Sequence, residues 1–353
     1  MQSATPKPLH RLCGRPMVLF VLDALAELTV DRVVVVVGRG ATEVTKTIQA
    51  EASERLAIEF VEQPEPRGTG DAVAVALTGL FGSYGLADFD EGDVIVLPGD
   101  TPLLRRVTLS VLVEGHRASG GAATLLTTRL DRPSGYSRVV RDKDGRVARI
   151  VDDPEATELE RQIDEVATTV YCFRQGVLAP ALRRLWPDNS LGEYYLTDTI
   201  AVLHDAGYAV STVAAPDPVE ALEVNERAQL AEAEAHLRAR INTRWMRRGV
   251  TMWDPSGTYL DASVRLEAEV TLLPGVILEG RTTVARGAVI GPSVHLVDCE
   301  VGPGAVVSHT VGSHAVIGAQ CSVGPYAVLE KGARLARGQR LGPFFGPGMG
   351  RTS

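Results

Sequence analysis

Residues 284–341 read VARGAVIGPSVHLVDCEVGPGAVVSHTVGSHAVIGAQCSVGPYAVLEKGARLARGQRL, and this stretch decides the fold of the C-terminal part of the chain. Apolar residues recur at spacings of five or six, with Gly after several of them, as at Gly291 and Gly318. A hexapeptide repeat predicts a left-handed parallel β-helix, in which three hexapeptides form one triangular coil. The residues expected to point inward are Val284, Ile290, Leu296, Val301, Val306, Val311, Ile317, Val323, Leu329, Leu335 and Leu341. About four to five coils fit this part of the chain.

The chain before residue 230 has a different pattern, in which strand-like and helix-like segments alternate. Strands are predicted at residues 32–38, 93–100 and 122–128, and helices at residues 70–80 and 226–247. Alternation of this kind predicts an α/β fold with a mainly parallel, Rossmann-like sheet. Ligands of such folds bind at the carboxyl ends of the strands.

Composition narrows the classes of function. The 353-residue chain carries a formal charge of −8, which does not favour a nucleic-acid polymer as its partner. The four cysteines are far apart in sequence and are expected to be buried thiols rather than metal ligands. The N-terminus does not resemble a signal peptide, and no apolar run is long enough to span a bilayer. We expect a cytoplasmic protein that binds no membrane.

Several motifs follow one another in a fixed order along the chain. They are PKPLHRLCGRPM at residues 6–17, QPEPRGTGDA at 63–72, LPGDTPLL at 97–104, DRPSGYSR at 131–138, GEYYLTD at 192–198 and VNERAQL at 224–230. Together with the hexapeptide region, this series resembles the family of bifunctional N-acetylglucosamine-1-phosphate uridyltransferases and glucosamine-1-phosphate acetyltransferases. The resemblance covers nearly the whole chain. It implies a nucleotidyltransferase domain at residues 1–227, a connecting helix at 228–249, a β-helix at 250–342 and a disordered tail at 343–353.

The resemblance implies a reaction in which a sugar-1-phosphate attacks the α-phosphate of UTP and pyrophosphate leaves. Asp100 and Asn225 match the family's Mg²⁺ ligands, although each could instead cap the helix that follows it. Lys7 matches a phosphate-contacting lysine with a catalytic role, and a solvated surface lysine is the alternative. The uracil-reading positions match Gln63, Gly68 and Thr69, and the sugar-contacting positions match Gly135, Asp152 and Thr197.

The sequence also departs from the family pattern. The family's usual Glu is Asp at position 152, and Ala167 replaces an Asn that bonds the sugar. Glu223 and Glu226 stand where the family usually has Gly and Asn. The first half of the signature, LxAGxGTR, is absent, which is expected to leave a strand position empty at the centre of the sheet. Either a start codon lies upstream of Met1 or the chain is an inactive paralogue, and the coherence of the other motifs favours the first explanation.

The C-terminal part departs from the family as well, because Glu330 replaces an arginine of the acetyl-CoA site. We therefore expect no acetyltransferase activity, and we expect the β-helix to serve as a homotrimerisation module. The function indicated is a Mg²⁺-dependent uridylyltransferase whose partners are UTP and a sugar-1-phosphate, with N-acetylglucosamine-1-phosphate favoured. The alternatives are a catalytically inactive protein that binds nucleotide sugars, a structural scaffold, and an enzyme that uses another triphosphate such as dTTP or GTP.

Overall fold

The computed structural model describes residues 1–81, 92–131, 133, 135–187, 189 and 191–344. The chain divides into two units, of which the first comprises Met1–His10 and Pro16–Gln229. The second comprises Arg11–Arg15 and the chain from Leu230 onward. The tail predicted at residues 343–353 lies mostly outside the described residues.

The first part of the chain alternates strands and helices, as its sequence predicts. Its strands are β1 (Arg11–Leu12), β2 (Arg15–Pro16), β3 (Val33–Val37), β4 (Ile58–Glu62), β5 (Asp93–Val96), β6 (Ala123–Arg129), β7 (Arg138–Arg141), β8 (Val147–Val151), β9 (Glu165–Arg174) and β10 (Val210–Ala214). The helices are α1 (Met17–Ala26), α2 (Ala41–Glu51), α3 (Thr69–Phe81), α4 (Arg106–Ser119), α5 (Gln175–Leu182), α6 (Asp198–Asp205) and α7 (Arg227–Met246).

The predicted α/β fold with parallel pairing is confirmed. Strand β3 runs parallel to β4, and β10 runs parallel to β6. The long strand β9 departs from this direction, because it lies antiparallel to both β5 and β6. In the described part of the chain β3 pairs only with β4, so these two strands form a small sheet separate from the sheet ordered β10-β6-β9-β7-β8.

The larger sheet is covered on both faces. Adjacent residues of β6 belong to different core clusters, since Leu125 packs with Phe173 and Leu126 packs with Cys172. Successive side chains of a strand point to opposite faces, so a strand buried on both sides reads as a continuous apolar run. This explains why the ends of these strands, rather than their faces, are available to a ligand.

The second unit is a parallel β-solenoid of about five coils, which confirms the β-helix prediction. Its strands form three parallel sheets, in which each strand pairs with the strand one coil later. The first sheet contains β11 (Thr251–Met252), β14 (Thr271–Leu272), β17 (Val289–Ile290), β20 (Val306–Val307), β23 (Ser322–Val323) and β26 (Arg340–Leu341). The second contains β12 (Tyr259–Leu260), β15 (Val276–Glu279), β18 (Val294–Val297), β21 (Thr310–Ser313) and β24 (Ala327–Leu329). The third contains β13 (Arg265–Leu266), β16 (Thr283–Val284), β19 (Glu300–Val301), β22 (Val316–Ile317) and β25 (Arg334–Leu335).

Two of the residues predicted to point inward do not. Val306 is 45% exposed and Val311 is 54% exposed, so the prediction is wrong at these positions. Val307 is buried instead and lies opposite Ile290, while Gly312 lies opposite Leu296. The cause is that some corners between strands are one residue shorter than the hexapeptide repeat requires. These short corners follow Leu296, Val307 and Gly312, so they are not evenly spaced.

The predicted burial of the four cysteines is confirmed, and each is a free thiol. Across the described residues, no helix combines the length and the apolar character that crossing a membrane requires.

Candidate active site

Three residues that are far apart in sequence meet at one point of the first unit. The ammonium of Lys7 donates a hydrogen bond to Asp100 Oδ2 and another to Asn225 Oδ1, the latter at 2.5 Å. Lys7 is separated from Asp100 by 93 residues and from Asn225 by 218. The structure therefore brings together the predicted phosphate-contacting lysine and both predicted metal ligands.

Local structure holds each member of this group in place. Lys7 begins a short 3-10 turn, Lys7–Leu9, which follows Pro6 and is anchored by the buried side chain of Leu9. Asp100 lies in the segment after β5, at the carboxyl end of that strand, where ligands of α/β folds bind. The carbonyl oxygen of Asp100 accepts a hydrogen bond from the backbone N–H of Val224 at 3.0 Å, which fixes the neighbouring Asn225.

Asp100 and Asn225 do not cap the helices that follow them, which was the alternative role for each. Helix α4 starts at Arg106 with Arg105 as its N-cap residue, so Asp100 does not cap it. Asn225 lies two residues before α7, and its side chain bonds Lys7. The side chain of Gln229 instead accepts hydrogen bonds from the backbone N–H groups of Asn225 and Glu226. Both predicted ligands are thus free of a capping role.

The two oxygen atoms suit a hard divalent cation. In the described part of the chain, no three His, Cys, Asp or Glu side chains group as a metal site. Magnesium does not need such a cage, since it keeps several waters and binds one or two protein oxygens together with substrate phosphates. Asp100 Oδ2 and Asn225 Oδ1 already converge on one cationic atom, the Lys7 nitrogen, so the donor set fits this ion.

Glu223 belongs to the same group, and sequence reasoning did not assign it a role. Burial raises the pKa of its carboxyl, and the charge of Asp100 raises it further, while hydrogen bonds and the charge of Lys7 oppose the shift. The hydroxyl of Thr169 donates a hydrogen bond to Glu223. Thr169 has a φ of 55°, a strained conformation for a β-branched residue. The only sequence signal was that Glu223 departs from the family pattern.

A buried tyrosine links this group to a second set of carboxylates. Tyr171 is 1% exposed, and no hydrogen-bond partner for its hydroxyl exists among the described residues. Burial raises its pKa, and the carboxylates of Asp152, Glu223 and Asp198 add to the shift. Its hydroxyl is therefore a hydrogen-bond donor close to three carboxylates, and no sequence motif points to it.

The predicted base-reading residues lie together where β4 ends and α3 begins. Gln63 Nε2 donates to Asp71 Oδ2 at 2.7 Å and to the carbonyl oxygen of Gly68 at 3.3 Å. Gly68 has a φ of 103°, and a Cβ there would lie 2.5 Å from the carbonyl oxygen of Tyr194. The position therefore requires glycine, because a side chain would meet backbone.

Thr69 connects this loop to the segment that holds a predicted sugar contact. Its hydroxyl accepts a hydrogen bond from the backbone N–H of Leu196 at 3.0 Å, and Thr197 follows directly as the N-cap residue of α6. Two backbone hydrogen bonds, Gly70 N–H to Tyr194 O and Tyr194 N–H to Arg67 O, reinforce the connection. The base loop and the GEYYLTD segment thus form one wall.

The other predicted sugar contacts approach the same segment. Asp152 accepts a hydrogen bond from the hydroxyl of Ser137, and its charge helps to raise the pKa of Asp198, which burial raises most. Gly135 lies in an exposed turn, and its backbone N–H donates a hydrogen bond to Asp153 Oδ2 at 3.0 Å. It thus contacts the residue next to Asp152 in the chain. Ala167 is buried and offers no polar side-chain atom.

The chain is similar to one protein family and to several known proteins. A family model described as nucleotidyl transferase matches residues 2–246. The protein named bifunctional protein GlmU from Desulfitobacterium hafniense is 42% identical over 344 residues, which are 98% of this chain and 73% of that protein. The protein of the same name from Brevibacillus brevis is 40% identical over 344 residues, 98% of this chain and 72% of its own. The one from Thermobifida fusca is 44% identical over 318 residues, 90% of this chain and 64% of its own.

Proposed function

The chain belongs to the nucleotidyl transferase family, among relatives named bifunctional protein GlmU, and from this premise we propose that it transfers UMP from UTP to N-acetylglucosamine-1-phosphate. The observation that carries the proposal is the convergence of Lys7, Asp100 and Asn225 at the carboxyl end of β5. In the reaction, a phosphate oxygen of the sugar-1-phosphate bonds to the α-phosphorus of UTP. The bond from that phosphorus to the bridging oxygen breaks, and pyrophosphate leaves.

The residues of this chain supply charge and position rather than covalent chemistry. Lys7 neutralises negative charge on the phosphates as the bond to pyrophosphate breaks. Asp100 and Asn225 would hold Mg²⁺, which supplies further charge neutralisation when bound. Gln63, Gly68 and Thr69 hold the uracil, supported by the requirement for glycine at position 68.

The sugar-binding part of the proposal rests on Asp152, Thr197 and Gly135. Asp152 accepts from Ser137 and is coupled in charge to Asp198, so the pocket presents acceptors to sugar hydroxyl groups. The apolar Ala167 removes one hydrogen bond that the family makes, which lowers the discrimination between N-acetylglucosamine-1-phosphate and related sugar phosphates.

The test is pyrophosphate release from UTP and N-acetylglucosamine-1-phosphate, with Mg²⁺ and with the metal chelated. We expect release only with metal, and less release with GTP, dTTP or glucose-1-phosphate. Calorimetric binding of a UDP-sugar without any pyrophosphate release would instead support an inactive binding protein. Absence of both would support a structural scaffold and contradict the proposal.

We also propose that the chain has no acetyltransferase activity. Glu330 is exposed on the solenoid at the position where the family's acetyl-CoA site has an arginine, and a carboxylate repels the phosphates of that cofactor. Formation of N-acetylglucosamine-1-phosphate from acetyl-CoA and glucosamine-1-phosphate by the purified protein would contradict this.

A homotrimer through the solenoid is a further part of the proposal. One outward ladder of the second sheet runs in register through Tyr259, Ile277, His295, Val311 and Val328. Tyr259, Val311 and Val328 are exposed. A flat, largely apolar face of this kind is suited to a subunit contact. We place the protein in the cytoplasm, supported by its four unpaired thiols.

A further inference from the structure

A groove of about 490 Å³ lies in the second unit, beside the C-terminal end of α7 and the third sheet of the solenoid. Trp245 and Arg248 form its helical side, and Arg265 and Thr283 lie on its solenoid side. Arg265 and Thr283 are neighbours in register on adjacent strands, β13 and β16. No residue of the proposed active site contributes to this groove.

Three guanidinium groups gather around it. Those of Arg244 and Arg248 each lie 5.5 Å from the ring centroid of Trp245. The pKa of Arg244 is lowered, first by the partial removal of its side chain from water and then by the positive charges of Arg248 and Arg265. Within the described ranges none of the three arginines makes an ion pair. The cluster therefore carries repulsion that no ion pair among the described residues relieves.

Trp245, which lines the groove, carries a buried donor that is not used. Its side chain is only 4% exposed, and its indole N–H finds no hydrogen-bond partner among the residues described. Buried donors without a partner are rare in folded proteins and call for an explanation such as a missing ligand. Among the described residues that line the groove, one carries a carboxylate. This is Glu267, which accepts a hydrogen bond from the backbone N–H of Arg286 at 2.7 Å.

We propose that this groove, lined by Trp245, Arg248 and Arg265 with Arg244 beside Trp245, binds a phosphate chain carrying several negative charges. Guanidinium groups are planar forks that match phosphate oxygens in pairs, and three of them offset the charge of a di- or triphosphate. The bound anion offsets the repulsion among the arginines and lies beside the indole ring of Trp245. The phosphate chain can be inorganic or can belong to a nucleotide, and both share this chemistry.

The test uses the fluorescence of the full-length protein. The chain has three tryptophans, and replacing Trp186 and Trp253 by Phe leaves Trp245 as the only one. Both replaced side chains are exposed, so the fold should tolerate the change. We expect saturable changes in Trp245 emission on titration with inorganic tripolyphosphate and with ATP. Arg244→Gln and Arg265→Gln should each weaken binding about tenfold.

The control is Arg334→Gln. Arg334 is exposed and outward-facing on the same sheet, in register with Val316 and outside the groove. Arg334→Gln should leave the affinities for tripolyphosphate and for ATP unchanged. Lys7→Gln should also leave them unchanged, because Lys7 belongs to the proposed active site and not to the groove. Binding that survives in Lys7→Gln thus separates this groove from the proposed nucleotidyl transfer.

The two probes distinguish the source of the phosphate. Equal affinity for tripolyphosphate and ATP indicates an inorganic chain, and tighter binding of ATP indicates a nucleotide. Either result supports the proposal. It is overturned if neither probe gives saturable binding, or if Arg244→Gln and Arg265→Gln bind as well as Arg334→Gln. A change of molecular mass in Arg265→Gln by light scattering would also overturn it, by making the arginines a contact between copies.

Discussion

Lys7 occupies the position at which the chemistry of the first unit is concentrated. Its ammonium bonds a carboxylate and a carboxamide that come from distant parts of the chain. Such a contact serves two purposes, because it ties the N-terminal segment to the ends of the sheet and places a positive charge beside the proposed metal ligands. A substitution that removes the charge but keeps a hydrogen-bond donor distinguishes the structural role from the electrostatic one.

We predict that Lys7→Gln lowers kcat for pyrophosphate release by about 100- to 1000-fold, since a preorganised positive charge is lost from the transition state. Gln can still bond Asp100, so the melting temperature should change little. The control is Lys143→Gln, at an exposed position in the β7–β8 turn. Full activity in Lys7→Gln would contradict the catalytic assignment.

Gly68 offers a second prediction at this scale. Gly68→Ala places a methyl group 2.5 Å from the Tyr194 carbonyl oxygen and keeps a φ of 103°. We expect it to lower the free energy of unfolding by about 2 to 4 kcal/mol, from the left-handed backbone and the overpacking together. Gly145→Ala is the control, because its φ is 79° but its Cβ would meet nothing within 4 Å. It should cost about 1 kcal/mol, and a urea titration of both variants measures the difference.

At the scale of elements, His116 joins α4 to the sheet. It is buried, its Nδ1 lies 2.9 Å from Thr124 Oγ1 on β6, and its Nε2 lies 3.4 Å from Asp93 at the start of β5. Burial lowers the pKa of this imidazole, Arg174 and Arg117 lower it further, and Asp93 opposes them. The ring is therefore neutral at neutral pH and packs as a polar part of the core.

This pKa shift predicts a pH dependence of stability. The folded state binds a proton at His116 less readily than the unfolded state does. Stability is therefore full above the unfolded pKa of about 6.5 and decreases as the pH falls through that value. Urea midpoints measured on both sides of this pH should show the loss. It should be smaller in His116→Gln and unchanged in His314→Gln, whose ring is exposed.

The solenoid strands allow a test with neighbouring residues. Ile317 is buried in the solenoid core, and Val316, on the same strand β22, points outward. Ile317→Ala should cost about 2 to 5 kcal/mol because it leaves a cavity. Val316→Ala should cost about 1 kcal/mol or less. Thermal unfolding followed by circular dichroism measures the stability of both variants. Equal losses of stability would contradict the assignment of Ile317 as inward-facing and Val316 as outward-facing.

The elements were largely predictable from the sequence, since the helix predicted at residues 70–80 is Thr69–Phe81 and the hexapeptides do form a solenoid. The prediction of which residues point inward is wrong at Val306. Val307 is equally apolar, and spacing alone could not show which corner is one residue shorter. At the site, motif order predicted Lys7, Asp100 and Asn225. It could not predict Glu223, Thr169 or Tyr171, whose importance comes from burial and from a backbone conformation that no local pattern encodes.

At the scale of the whole molecule, the outward ladder through Val311 and Val328 predicts association. For a homotrimer, the apparent melting temperature rises with protein concentration, by mass action. Val311→Asp should remove this dependence and give a monomer by light scattering, because it places a charge in the apolar face. Val306→Asp is the control, since Val306 is similarly exposed but lies on a different sheet. A wild-type monomer at all concentrations would contradict the trimer.

The uneven corners of the solenoid also restrict how this protein can change length over evolution. Each coil pairs only with the coils before and after it. A residue inserted or deleted inside a strand would turn the remaining side chains of that strand to the opposite face, whereas one lost at a corner leaves the strands in phase. The three shortened corners between Leu296 and Ile317 lie within consecutive coils, where buried Val307 and Gly312 preserve the inward phase. Changes in length are therefore tolerated at corners or as whole coils, and this part of the gene should accept insertions and deletions at those places rather than inside the strands.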